Sequence, residues 1–454
     1  MVRVLIPSGA LGLGWDEAAL ARGIAAGPDL IAIDGGSTDS GPSYLGRGVS
    51  KYSRAATLAE WQALLAARAE AGVPLVLGTA GTCGADAAVD WMVDITREAL
   101  GTLGLSARVA VLRSGQPAER VAEALAAGRI TPLDGAPGID AATLHECTNI
   151  VALAGAEQVA AALEMGPDIV IAGRTTDTAI IAAPALMRGI DPGLAWHGAK
   201  IGECGALCAS RPQSGVLMVE YGADAFTVTP LAEGSRATAH TVSAHMLYEN
   251  SDPERLIEPG GVLDVSAARY EGAEPRSVRV SGGRWHPDPV YKVKLEGARR
   301  AGFQTILLTL VRDARYVANI RGWCADIEAK AAAKIARRLG PDPADRVELR
   351  RIGVDAAMGD LEMRAGDPAE AGVLAIVTAA SQARASEIAR LLNPYLLHHP
   401  LTEAEEQPTF AFPFSPPEIE RGALHEFCLN HVMALDDPMA AFSLEVLELA
   451  HAPA

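Results

Sequence analysis

The 454-residue chain has no excess of basic residues: 39 Lys and Arg stand against 56 Asp and Glu, a net charge of −17 with the histidines neutral. Phosphate neutralisation needs a basic face, so this balance argues against a nucleic-acid partner. No apolar run approaches the ~18–20 residues that a membrane span requires. The opening Met1-Val2-Arg3-Val4-Leu5-Ile6-Pro7 is too short and too soon interrupted for a secretory leader. Disulfide-forming patterns are missing as well. The six cysteines (83, 147, 204, 208, 324 and 428) are scattered without a C-x-x-C pair, which points to reduced thiols and a cytoplasmic location. Cys204-x-x-x-Cys208 is the only close pair and has no histidine at ligand spacing beside it. His240 and His245 are five apart, and His398-His399 precedes a proline. None of these reads as a metal site, so no metal is expected. There is no low-complexity tract and no internal repeat.

What is present is a core-forming composition, 49% apolar and 21% charged, over a length that suits two or three domains. The first half alternates short apolar runs with helical patterns. The runs are Val2–Ile6, residues 30–33, 75–77, 109–112, 150–153 and 168–172, with helices over about 16–26, from Thr57 to Gly72, 86–100, after Pro117 and after Asp177. Thr57-x-x-Glu60 has the form of a capping box, and Gly72 suits the left-handed residue that ends a helix. Continuously apolar strands separated by helices are the pattern of a parallel sheet covered on both faces. The fold class expected is α/β: an N-terminal parallel-sheet α/β domain over 1–213, then a mixed α+β domain over 214–393. In the second part Tyr291-Lys292-Val293-Lys294-Leu295-Glu296 alternates, placing Lys292, Lys294 and Glu296 on one face. Residues 394–454 read, from their prolines, as an extended segment with a short docking element at Phe427–Leu447.

Chemistry is expected where the early strands end. Ser8 and Gly9 follow the first run, and Asp34-Gly35-Gly36-Ser37-Thr38-Asp39 the second. Thr79, Thr82 and Cys83 follow the third, and Arg174-Thr175-Thr176-Asp177 a later one. In open parallel sheets ligands bind at the carboxyl ends of strands. Glycines there allow close backbone approach, and helix N-termini favour anions, so a carboxylate, phosphate or CoA thioester is the expected guest. The plainer alternative is that such residues simply build βα turns and caps. The glycine loop Gly9-x-x-Gly12-x-Gly14 is reversed relative to the dinucleotide fingerprint, although Asp34 lies about 20 residues on; no cofactor is expected. Asp34 or Asp39 fits a general base with a pKa raised by burial, or else an ordinary turn residue. Arg174 fits a carboxylate clamp, or an ion pair with Asp177. Glu203, near the junction of the halves, fits acid/base work or a helix cap. Asn149 and Thr176 fit polarisation of a carbonyl. Cys83 at a loop–helix junction, with Cys147, fits a cofactor-free two-cysteine racemase, or two small core residues.

Several strings are specific enough to suggest kinship. They include Asp168-Ile-Val-Ile-Ala-Gly-Arg-Thr-Thr-Asp177, Gly202-Glu-Cys-Gly-Ala206, Phe226-Thr-Val-Thr-Pro230, Ser243-Ala-His-Met-Leu-Tyr-Glu-Asn250, Pro259-Gly-Gly261, Ser266-Ala-Ala-Arg-Tyr270 and Lys292-Val-Lys-Leu-Glu-Gly297. In these the chain resembles the acyclic terpene utilisation (AtuA-like) family, over most of its length up to about residue 380. The resemblance implies bacterial catabolism of branched acids through CoA thioesters, with no general mechanism attached. It also implies a small C-terminal domain in longer members, which here is expected either to be missing or to come from a separate small accessory subunit. The expectation is an enzyme of carboxylic-acid or acyl-CoA catabolism, of lyase, hydratase or isomerase type, working by proton transfer and forming a homo-oligomer. The alternatives are the two-cysteine isomerase and a non-catalytic metabolite-binding subunit.

Overall fold

The computed structural model describes residues 1–273, 275–364 and 366–449. Short strands rich in Val, Ile and Leu assemble a ten-stranded sheet, whose members are labelled here in chain order. The parallel core comprises β1 (Val2–Ile6), β2 (Leu30–Asp34), β3 (Leu75–Gly78), β4 (Ala107–Arg113) and β5 (Ile169–Ala172). Flanking it are β6 (Leu217–Tyr221), β7 (Phe226–Pro230), β8 (Arg269–Ala273), β9 (Ser277–Ser281) and β10 (Ser443–Leu449). The spatial order is β8-β9-β7-β6-β1-β2-β3-β5-β4-β10. From β1 to β4 neighbours run parallel, with Val4 opposite Leu30, Ile31 opposite Leu75 and Val109 opposite Ile169. The change of pattern near residue 214 is real, but it happens within this sheet: β6 joins β1 antiparallel, Val219 facing Val4.

Both sheet faces are buried, which is why the core strands are apolar throughout instead of alternating. Val4, Leu30, Ala32 and Val76 pack into the core on one face, and Leu5, Ile31, Ile33 and Leu77 into that on the other. Each such side chain contributes about 1.5–3 kcal/mol by leaving water. The second face is covered by α1 (Glu17–Ala25), α2 (Arg54–Ala71) and α3 (Asp86–Leu103). The first face is covered by α4 (Ala179–Met187) and α5 (Pro192–Gly202). Trp61 of α2 is fully buried and gives its indole N–H to Thr96 of α3 at 2.9 Å.

Three local expectations are corrected. The cap of α2 is Ser53, whose side chain accepts from the amide of Ala56. Thr57 and Glu60 lie inside the helix, and Glu60 turns back to accept the amide of Gly12 at 2.6 Å. Gly72 does end that helix in a left-handed conformation, φ 65°. Second, residues 150–153 do not join the parallel sheet. The strand Cys147–Ala152 pairs antiparallel with Leu295–Arg299, because an apolar run specifies burial and not a partner. Third, the tail is not merely extended: Phe427 to Leu435 completes a strand, and Ser443–Leu449 is β10, paired along the whole of β4.

The chain forms two compact units, one of Met1–Arg299 with the chain from Phe427 onward, the other Arg300–Glu426. The second contains the antiparallel strands Arg346–Ile352 and Ala371–Ala379, the latter pairing with Phe303–Val311. Helices α6 (Ile320–Leu339) and α7 (Gln382–His398) supply its core through Trp323, Ile327, Ile388 and Leu392. The second helix runs on to His398 with Pro394 inside it. No helix among the described residues is long and apolar enough to cross a membrane.

Candidate functional site

The loops after β1, β2 and β5 converge. Ser8, Gly9, Asp34, Gly36, Asp39 and Asp177 line one hollow of about 710 Å³. A second hollow of about 540 Å³ shares Ser37, Asp39, Asp177 and Glu249 with it, and adds Arg174, Lys200, Glu203 and Glu258. Every one of these residues lies in the first unit. The loop after β3 packs underneath. Thr79, Thr82 and Cys83 are fully buried and line neither hollow. Thr79 and Thr82 both hold positive φ, at 40° and 74°, a conformation that costs a non-glycine residue on the order of 1–2 kcal/mol. The surrounding loops impose it: Thr82 gives its amide to the Gly35 carbonyl at 2.9 Å and accepts the Lys51 amide at 3.0 Å.

The same packing makes Gly84 indispensable. Its φ is +64°, and a Cβ there would collide with the backbone of Arg174. Gly84→Ala is expected to destabilise the protein by about 2–4 kcal/mol, from left-handed strain plus the clash. A shift in the urea midpoint equivalent to less than about 0.5 kcal/mol would rule out this close approach.

Arg174 organises the floor of the site. Its backbone is fixed by Ser114 Oγ at 2.6 Å and by Ala154, whose amide donates to the Arg174 carbonyl at 2.9 Å. Its guanidinium is buried. Nε donates to Glu296 Oε2 (3.1 Å), Nη1 to Thr79 Oγ1 (3.2 Å) and the Thr175 carbonyl (2.8 Å), and Nη2 to Thr38 Oγ1 (3.2 Å). Asp177 lies 3.6 Å from Nη1. Both readings of Arg174 meet here: it reaches the second hollow, yet four of its N–H groups are already spent on the protein. Thr38 likewise donates to Glu296 Oε2 at 2.8 Å. Glu296 was not singled out among the site residues. Burial would raise its carboxyl, but Arg174 and Lys294 outweigh that and hold it at about 2.

The carboxylates above this floor behave oppositely. Asp34 is buried; its Oδ1 accepts the Gly36 amide at 2.6 Å, and Oδ2 has no partner. Burial, reinforced by the charge of Asp177, pushes its carboxyl well above the ordinary range. Burial also raises Asp177. Glu203, the C-cap of α5, is pushed up to about 8 by burial despite its ion pair with Lys200 one turn back. Glu258, at the end of the strand Arg255–Glu258, is pushed up to about 7 by burial. Its Oε1 accepts from Thr178 Oγ1 at 2.6 Å, and Oε2 has no partner. Thr176 shares its hydroxyl with Thr178 at 3.0 Å, and Ser37 donates to Asp39 at 2.8 Å. Across the two hollows six carboxylates (Asp34, Asp39, Asp177, Glu203, Glu249 and Glu258) face three cations, Lys51, Arg174 and Lys200.

The anion-binding features expected of the glycine loop are taken up internally. The Gly12 amide goes to Glu60, the Gly36 amide to Asp34, and the N-terminus of α1 is capped by Asp16, which accepts from Ala19 at 2.8 Å. Asn149 and Cys147 are not brought to the main site; they line a separate hollow of about 360 Å³, where Asn149 donates to the Leu45 carbonyl at 2.8 Å. Cys147 Sγ lies 2.9 Å from Cys428 Sγ, and burial raises the Cys83 thiol within an apolar cluster. These two cysteines therefore do not flank a common hollow. A further hollow of about 670 Å³ in the second unit, beside Asn319, Asp326 and Lys330, contains none of the expected residues.

No spacing rule points to Lys200, Glu249, Glu258 or Glu296, and the five-residue spacing of His240 and His245 argues against His245 as a ligand. The alternation at 291–296 marked Glu296 only as one of three polar residues sharing a face, and an acid before Pro259-Gly260 was the sole sign at Glu258.

Comparison with curated proteins and with solved structures found no match. The family model for the acyclic terpene utilisation family protein AtuA matches residues 47–189 and 218–411. These segments contain Arg174, Asp177, His245, Glu258 and Glu296, whereas Asp34, Asp39 and the string Gly202–Ala206 fall outside them. The matches span most of the sequence, and the chain belongs to the acyclic terpene utilisation family.

Proposed function

We propose that this chain is a proton-transfer enzyme acting on a small carboxylic acid or its CoA thioester, of lyase, hydratase or isomerase type. One observation carries the reading: Asp34 and Glu258 are both buried, Asp34 beside the first hollow and Glu258 beside the second, and each keeps one buried carboxyl oxygen without a partner. Burial raises both carboxyls, Glu258 to about 7, and a pKa near the working pH is the condition for efficient acid/base work. Lys200, which lines the second hollow, would hold an oxygen of the substrate there. Six carboxylates favour a reacting end that brings hydroxyl or carbonyl groups into the hollows. Membership of a family named for terpene utilisation suits a branched-chain acid.

The test is a panel of CoA thioesters, dicarboxylates and hydroxy acids, screened first by thermal shift and then incubated in D2O with mass-spectrometric detection. A stabilising ligand should incorporate deuterium or be converted, and Asp34→Asn and Glu258→Gln should each slow this by about 10²–10⁴-fold while keeping the thermal shift. A ligand that stabilises the protein yet is neither exchanged nor converted would favour the metabolite-binding subunit instead.

A further inference from the structure

We infer that Glu203, Cys204 and His245 form a binding site for a divalent transition-metal ion of the zinc type. One donor atom from each lies within 4.8 Å of the others. The fold creates this set from distant parts of the chain. The C-terminus of α5 delivers Glu203 and Cys204, and the last residue of the helix Ala239–His245 delivers His245. The histidine is oriented as a ligand. It is 5% exposed, its Nε2 is buried without a partner, and Tyr248 stacks on it at 5.6 Å between centroids. Lys200 takes Oε1 of Glu203, leaving Oε2 to serve as a ligand.

Carboxylate, thiolate and imidazole form a three-ligand set with a fourth position open, as in catalytic zinc sites. Tetrahedral bonds of ordinary length would hold the donors about 3.4–3.8 Å apart, so the triad needs to tighten by roughly 1 Å. Cys204 lines the first hollow and Glu203 the second, so the open position faces the cleft, where a cation would polarise a bound carbonyl and offset the surplus of carboxylates. Binding forms the metal–sulfur bond and releases the thiol proton of Cys204 to solvent.

The site is tested without substrate, and so independently of the proton-transfer reading. The full chain, stripped with a chelator, is titrated with cobalt(II). One equivalent per chain should bind with a near-ultraviolet thiolate charge-transfer band. Cys204→Ser should abolish the band, His245→Gln should weaken binding at least about tenfold, and Cys147→Ser, at the remote cysteine, should change neither. A wild-type chain that gives no such band overturns the inference, as does a band that survives Cys204→Ser. Neither outcome depends on whether His245→Gln folds.

Discussion

Replacing Arg174 with methionine should destabilise the protein by about 3–5 kcal/mol, the range found when one partner of a buried ion pair is removed. The magnitude follows from what is left behind. Glu296, 5% exposed, would retain Lys294, at 2.9 Å from Oε1, as its one charged partner, with the Thr38 hydroxyl at 2.8 Å from Oε2, while Asp177 and the Thr38 and Thr79 hydroxyls would lose their common partner. Coupling makes the prediction specific. With Glu296→Leu in the background, Arg174→Met should cost much less, because an apolar pair of similar volume avoids the desolvation that the charged pair requires. Chemical denaturation of the two single variants and the double variant measures this directly. A loss below about 1 kcal/mol for Arg174→Met, or costs that simply add, would mean that Arg174 is not the keystone of the floor. The same series separates the two roles of this arginine: a clamp for substrate alone would raise KM and leave the unfolding midpoint where it was.

Glu258→Gln should have the opposite effect on stability, and only at one end of the pH scale. Below its ordinary 4.5 the carboxyl is protonated in folded and unfolded chains alike, so the substitution gains nothing there. As pH rises from 4.5 to about 7, the unfolded chain releases the proton while the folded chain retains it, and stability falls across that window. Above about 7 the full penalty is in place, on the order of 3 kcal/mol. Glutamine keeps the acceptor oxygen for Thr178 and removes the penalty, so the variant should unfold later than the wild type at pH 8 and together with it at pH 4. Equal unfolding at both pH values would show that Glu258 carries no raised pKa. Glu296 has the reverse slope: its stabilisation is complete above 4.5 and is lost as pH falls toward about 2. A variant stabilised at pH 8 and slowed in turnover would mark Glu258 as a position where the fold gives up stability for chemistry.

How much of this was legible depends on how local each cause is. The core strands could be read at Val2–Ile6 and Ile169–Ala172 because two-sided burial leaves an apolar run that needs no partner to be recognised. Pairing could not: nothing in Cys147–Ala152 distinguishes it from a sheet strand, and its partner lies at Leu295–Arg299. The cap of α2 was misread because Thr57-x-x-Glu60 satisfies the same rule as the real cap at Ser53, and only the Glu60–Gly12 hydrogen bond shows what Glu60 does. In the site, Asp34, Asp177 and Arg174 were visible as residues that end strands. Glu258 and His245 come from elements far along the chain and meet those loops only in three dimensions. Glu296 sits in an alternating strand whose polar face is otherwise half-exposed at Lys292 and Lys294; it alone is buried there, against Arg174, which no spacing rule connects to it.

The position of β10 has a consequence for biosynthesis. The outer rim of β4 is covered by β10, a strand that the ribosome makes long after it, held there by Arg108–Glu448 and Arg113–Glu445 as well as by the ladder itself. During translation this rim has no native partner until residue 449 has emerged, and an unpaired rim of apolar backbone invites association with other nascent chains. Folding of the sheet is thus tied to the synthesis of β10, and a chain that lacks this strand has its side open.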